Sequence, residues 1–317
     1  IHFLLAYFER EKKKKVGECI KEWMEKYKRT SVKAATYDRL ETSYQLMCKY
    51  RVAYIGYLEL TSEDIQDYLN RLVQDGYALT TIKKQYNLIS GYIRWANAEG
   101  VIPRAIYNNV SLPSRNTVKK PKKEMQVYNK MQQMSLRKEL QTNKRGGYLA
   151  ALLMLETGIR VGEAIALSWD DIDWDRRSLR INKTMVRLGN RKKMFVQNSA
   201  KTFTSERTIP LSKVAYDTLE SLYMKAKRGQ VYIFEENEKP FSYEKMRWDI
   251  TIACNEANVP YMGQHVFRHT FATNCYYKGC NVKILSKLLG HSNPTVTYNT
   301  YIHLFGDELE EMRSVVG

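Results

Sequence analysis

Three short stretches of this 317-residue chain gather side chains that could act on a charged substrate. The first is Glu156-Thr157-Gly158-Ile159-Arg160-Val161-Gly162-Glu163. Its pattern predicts a helix ending at Gly158 and a turn that sets Arg160 at the mouth of the next helix. Glu163, one helical turn further on, is spaced to hold that guanidinium. A planar fork of N–H donors suits two phosphate oxygens at once, although an isolated arginine of this kind is more often half of a surface ion pair. The second stretch is Gln264-His265-Val266-Phe267-Arg268-His269, where His265 and Arg268 share a helix face and Val266, Phe267 and Phe271 are placed to anchor it. The third is Leu288-Leu289-Gly290-His291-Ser292-Asn293-Pro294, followed by Tyr298-Asn299-Thr300-Tyr301-Ile302-His303. Here Gly290 caps a helix, His291 leads into a proline turn, and a tyrosine-bearing segment follows. With 23 tyrosines in the chain, residue type alone does not mark a nucleophile.

The elements that must position these groups fall into two blocks. From Val16 to about Asn109 the apolar period is helical, as in Ile20, Trp23, Met24 and Tyr27. Thr61 or Ser62 is an N-cap for Ile65–Leu72, Gly76 sits just past its end, and Thr80 or Thr81 opens the next helix. A bundle of four or five short helices is expected over 16–110. Residues 111–123, with two prolines and four lysines, read as a basic linker. A second domain, 124–304, opens with helices, among them apolar Tyr148–Leu155. It then carries a strand and turn at Ile172–Asp175 and Ser178–Ile181, a hairpin at Met185–Leu188 and Met194–Val196 and a third strand at Arg207–Leu211, and returns to helices from Tyr216 onward. The expected fold is mainly α with one small antiparallel β-sheet.

Composition narrows the partners. Net charge is +17, divided as +6 over residues 1–118, +13 over 119–228 and −2 over 229–317. A polyanion gripped by the first two thirds is the simplest explanation, because each neutralised phosphate releases condensed counterions. No apolar run reaches the ~18–20 residues that span a bilayer, and the basic run Lys12–Lys15 follows the short apolar start instead of preceding it, the reverse of a signal peptide. The five cysteines are scattered with no C-x-x-C pair, so neither a disulfide framework nor a zinc site is expected, and a cytoplasmic protein with reduced thiols is.

Taken in order, Arg160, His265-x-x-Arg268, Leu289-Gly290-His291-Ser292 and Tyr301-x-His303 resemble the tyrosine recombinase (phage integrase) family, most of all the integrases of Gram-positive conjugative transposons and temperate phages. The resemblance implies an N-terminal helical core-binding domain at 16–110 and a mixed α/β catalytic domain at 124–304. It implies a homotetramer on double-stranded DNA recombination sites, accessory DNA-bending or directionality proteins, and strand exchange without cofactor or metal. Arg160 and Arg268 would bracket the phosphate, and His265 and His291 would donate hydrogen bonds to it. His265 would also take the nucleophile's proton, and Glu163 would orient its neighbours. A lysine general acid before the Arg207-Thr208-Ile209-Pro210-Leu211 strand best matches Lys201, ahead of Lys192 and Lys193. Tyr301 is the nucleophile implied by the Tyr-x-His match, over Tyr298, with one residue more between His291 and the tyrosine than many members have. Residues 305–317 would form a tail that docks on a neighbouring subunit or packs on its own domain, and Ile1–Lys15 the end of a linker from a further domain. Two other readings stay open on sequence grounds. A type IB topoisomerase-like relaxing enzyme would not need two sites, and a non-catalytic DNA-binding regulator would form no covalent adduct.

Overall fold

The computed structural model describes residues 14–102, 106–114, 117–118, 125–143, 145–188, 193–198 and 206–301, with the backbone alone at Lys193, Asn299 and Tyr301. The chain divides into two compact units, Ile1–Lys123 with Leu188–Asn190, and Glu124–Arg187 with Arg191–Gly317.

The first unit is helical. Helix α1 (Val16–Trp23) buries Val16, Ile20 and Trp23 along one stripe and continues through a π-helical stretch, Met24–Lys28, into Arg29–Ser31. Helices α2 (Ala34–Met47), α3 (Ser62–Gln74) and α4 (Leu79–Ala98) complete it, with Ile65, Leu69 and Leu72 of α3 meeting Ile82, Ile89 and Ile93 of α4 in the core. Thr61 caps α3 as its sequence requires. Its hydroxyl accepts from the Asp64 amide at 3.1 Å, while the Asp64 carboxylate accepts from the Thr61 amide at 3.1 Å. Helix α4 starts earlier than its threonines suggested. The Tyr77 amide is already spent on the Leu72 carbonyl at 3.0 Å, closing the end of α3, and the Ala78 carbonyl accepts from the Thr81 and Ile82 amides at 2.8 and 3.1 Å. A backbone carbonyl therefore opens the helix without a capping side chain.

The second unit is built around a helix apolar on every side. Helix α6 (Gly146–Thr157) has Gly147–Leu155 all buried, and α5 (Lys130–Thr142), α8 (Lys213–Tyr223), α9 (Tyr243–Glu256) and α10 (His265–Tyr277) pack around it. The short α7 (Val161–Ala166) follows α6 directly. Among the described residues three small sheets stand where one was expected. Strands β1 (Ile172–Asp173), β2 (Ser178–Ile181) and β5 (Arg207–Pro210) form an antiparallel ladder in the order β1-β2-β5, with Ile172 opposite Leu179 and Leu179 opposite Ile209. Asn182 interrupts the run after β2, so β3 (Lys183–Leu188) pairs only with β4 (Lys193–Asn198). A further hairpin, β6 (Glu235–Glu236) with β7 (Lys239–Pro240), breaks the helical stretch read after Tyr216. Its turn residues Asn237 and Glu238 have φ of +52° and +61°, the conformation of a two-residue hairpin turn. Helices α11 (Val282–Leu289) and α12 (Pro294–Tyr301) end the described chain. Among the described residues no helix is long and apolar enough to cross a membrane, and all five cysteines are free thiols.

Candidate active site

Two left-handed glycines bring the site together. At the end of α6, Gly158 (φ +68°) turns the chain so that Arg160 becomes the N-cap of α7. A Cβ at Gly158 would lie 2.3 Å from the Phe271 ring of α10, so glycine is required by contact as well as by conformation. Arg160 is held at both ends by Glu163. The Arg160 amide donates to Oε2 at 2.8 Å and its Nη1 donates to Oε1 at 2.8 Å. A second arginine, Arg207, reaches the same carboxylate from β5, with Nη1 donating to Oε1 at 3.1 Å and Nη2 to Oε2 at 2.7 Å. Its Nε donates to the Leu288 carbonyl at 2.7 Å, tying β5 to the last turn of α11. Burial alone would raise the Glu163 carboxyl, but the hydrogen-bonded Arg207 charge, with Arg160 beside it, overrides this and holds it at about 2.

Gly290 (φ +63°) does for α11 what Gly158 does for α6. The Gly290 amide donates to Lys287 O at 3.0 Å and the His291 amide to Ser286 O at 3.1 Å, fixing the backbone from which His291 projects. On α10, Phe267 is buried against Tyr128 with ring centroids 5.4 Å apart. That anchor draws the adjacent Arg268 inward to 5% exposure. Arg268 Nη1 donates to Gly158 O at 2.9 Å, and Nη2 donates to Leu289 O at 2.6 Å and to His291 Nε2 at 2.9 Å. Arg160 Nη2 donates to Gly290 O at 3.3 Å. His291 Nδ1 lies 2.7 Å from Thr297 Oγ1 on α12. Burial and the charges of Arg268, Arg160, Arg207 and His269 push the His291 ring down to about 4, so it is neutral near pH 7. His265, at the start of α10 with part of its ring reaching solvent, is also lowered, by partial burial and then by Arg268 and Arg160.

Arg160, Glu163, Arg268 and His291 are thus in one bonded cluster, and His265 feels both of its arginines. Tyr301 is the last residue of α12 and Tyr298, 37% exposed, lies one turn before it. Lys201, Lys192, His303 and the tail 305–317 lie outside the described residues. Two members of the cluster were not picked out in sequence. Arg207 alternates with Ile209 on the inner face of β5, and an arginine at a buried strand position demands a carboxylate, so its signal was present. Thr297 is fully buried between exposed neighbours on α12, and nothing in its local sequence marks it. Among the described residues, no three His, Cys, Asp or Glu side chains gather as a metal site would need.

Two guanidinium groups and two imidazoles on converging helix ends, with tyrosines on an adjoining helix, are a set of donors that could hold the oxygens of a phosphodiester. The phage integrase family model matches residues 121–308, more than half of the chain, and the chain belongs to that family, the tyrosine recombinases. Over its length it is similar to a XerC-like tyrosine recombinase of Caldanaerobacter subterraneus subsp. tengcongensis, 29% identical over 314 residues, which span 91% of this chain and 79% of that protein. Its fold matches the Tn1549 transposon integrase solved with transposon right end DNA, with a TM-score of 0.81 at 20% identity over 96% of this chain and all of the other. It also matches λ integrase solved as a tetramer on a Holliday junction, with a TM-score of 0.63 at 17% identity over 93% of this chain and 80% of the other. Members of the family are DNA strand-exchange enzymes.

Proposed function

We propose that this chain is the site-specific recombinase of a mobile element, cutting and rejoining double-stranded DNA through a 3′-phosphotyrosine bond at Tyr301. The observation that carries the reading is the convergence of Arg160, Arg268 and His291 about the carbonyls of Gly158, Leu289 and Gly290. A guanidinium satisfied by neutral carbonyls gains more from an anionic oxygen. Arg160 and Arg268 therefore exchange carbonyl contacts for the non-bridging oxygens of the scissile phosphate, and bind most strongly as charge grows in the pentacoordinate transition state. Glu163 keeps Arg160 aimed, and stays charged itself because Arg207 neutralises it. His291, neutral, donates to a phosphate oxygen. His265, lowered by partial burial and then by Arg268 and Arg160, accepts the tyrosine proton. Lys201 then protonates the departing 5′ oxygen, and the tyrosyl ester conserves the bond energy for rejoining. On this reading the protein works in the cytoplasm at the nucleoid as a homotetramer on paired sites, with residues 16–110 as its core-binding domain and 305–317 coupling neighbours. Accessory DNA-bending proteins set direction.

The deciding experiment is a suicide substrate, a nicked duplex whose cleaved fragment diffuses away. A covalent protein–DNA adduct is expected with the unaltered chain and with Tyr298→Phe, and none with Tyr301→Phe, while both variants bind DNA. An adduct formed by Tyr301→Phe would overturn the nucleophile. Loss of adduct in chelator would overturn the metal-independent reaction.

A further inference from the structure

His291 and Thr297 form a pair whose hydrogen count is set by their neighbours. A guanidinium has donors only, so the 2.9 Å contact from Arg268 Nη2 must meet the lone pair of His291 Nε2. The ring is neutral near pH 7 and carries one proton, which therefore sits on Nδ1 and is donated to Thr297 Oγ1 at 2.7 Å. That tautomer is the wrong one for the reaction proposed above, in which Nε2 is the atom facing the arginines and must itself donate to phosphate.

We infer that Thr297 is a positioning residue that lets His291 exchange one tautomer for the other when DNA replaces the Arg268 contact, and that ties this exchange to the helix bearing the tyrosines. The exchange balances. Arg268 Nη2 turns to a phosphate oxygen, Nε2 takes a proton from water, Nδ1 gives its proton to water while displacement of α12 has it unclipped from Thr297, and the ring stays neutral. Nδ1 is then an acceptor in a place closed to solvent on the threonine side, since Thr297 is fully buried. A hydroxyl meets this need by rotating, because it accepts in the first state and donates in the second. A methyl in its place meets neither. Thr297 stands on α12, one residue before Tyr298 and four before Tyr301, so a displacement of that helix unclips the histidine. The inference rests on the proposed reaction for its purpose, but its starting tautomer is a property of the DNA-free protein.

The test uses the full chain with ¹⁵N-labelled histidine. Only five histidines are present, and His291→Gln identifies the resonance. Without DNA, His291 is expected to carry its proton on Nδ1. With a duplex site bound by the Tyr301→Phe protein, the proton is expected on Nε2. A proton on Nε2 in the free protein, or no change on binding, overturns the inference. In single-turnover cleavage, Thr297→Val is expected to slow the step about tenfold, the scale of one lost hydrogen bond, with DNA affinity unchanged. Thr297→Ser, which keeps the hydroxyl and gives up a methyl, should cleave within about threefold of the unaltered rate, even if it melts earlier than the valine variant. Serine as slow as valine, valine as fast as threonine, or a valine variant that also loses DNA binding would each reduce Thr297 to packing. If the unaltered chain forms no adduct at all, the proposed function fails while the free-protein tautomer still decides the inference.

Discussion

Glu163 lies at 6% exposure beneath four bonds from Arg207 and Arg160, and its worth follows from what its absence would leave behind. Glu163→Gln strands the Arg207 charge in a place closed to water, which costs about 3–5 kcal/mol when one partner of a buried pair is removed. A urea titration at pH 7 should show that loss, and an unchanged midpoint would mean the pair contributes nothing net. The pH dependence has a definite sign. A carboxyl depressed from 4.5 to about 2 contributes stability that is complete above pH 4.5 and lost as pH falls towards 2. That difference corresponds to about 3 kcal/mol. His291, lowered from 6.5 to about 4, adds a loss over the window from pH 6.5 to 4. Stability measured by denaturant at successive pH values should therefore fall in two stages on acidification. In Glu163→Gln the lower stage should be missing. Arg207→Lys retains the charge but not the fork, so it cannot hold both carboxylate oxygens and the Leu288 carbonyl together. Cleavage at least tenfold slower, on the scale of one lost charge-assisted hydrogen bond, is expected with DNA affinity unchanged.

At the level of elements, the glycines carry the argument, and they also show what the sequence made legible. Gly158 and Gly290 each end a helix in the left-handed region and stand two residues before Arg160 and one before His291, the side chains proposed to hold phosphate. Gly290→Ala must bear the left-handed strain and also a Cβ 2.8 Å from Arg207 Nη1. The two together should cost about 2–3 kcal/mol, and cleavage should fall further than Arg207-independent DNA binding does. A melting curve and an adduct assay on the same preparation separate the two effects. Both glycines could be read in advance, because a C-cap glycine after an apolar run is a local signal. So could the Thr61 cap of α3 and the alternation that turns Ile209 inward. The start of α4 could not, since it depends on backbone bonds that no residue type announces, the return of the Tyr77 amide to Leu72 and the opening of the helix by the Ala78 carbonyl. The division into three sheets was hidden as well. Two-residue strands such as Glu235–Glu236 are too short to show alternation, and the break at Asn182 is decided by which partner each strand finds. Within the site, the residues that would touch phosphate were legible from their order along the chain. Thr297 was not, because its role comes from a ring contributed by the residue six places earlier across a turn.

For the whole molecule, the question is where the positive charge is used. The site takes Arg160 and Arg207 from the stretch of net charge +13 and Arg268 from the stretch of net charge −2. Arg160 and Arg207 are already held by Glu163, so most of the long-range attraction must come from elsewhere. In the first unit, α4 is the informative helix. Over Leu79–Ala98 it has Lys83, Lys84 and Arg94 and no acid, with all three exposed, whereas α3 has Glu63, Asp64 and Asp67 against Arg71. An acid-free exposed stripe on a 20-residue helix is what a duplex backbone would select. Replacing Lys83 and Lys84 together by alanine should weaken binding to specific and unrelated duplexes alike, because phosphate contacts carry no sequence information. The slope of log K against log salt should become shallower by roughly 1 for each phosphate contact given up. Cleavage of DNA held at saturating protein should be unchanged, since neither lysine belongs to the cluster around Glu163. Fluorescence anisotropy over a range of salt concentrations measures the slope, and the suicide substrate measures the cleavage. An unaltered slope would move the DNA to another face of the first unit. A slope that falls together with the saturating cleavage rate would mean that α4 does more than attract the duplex.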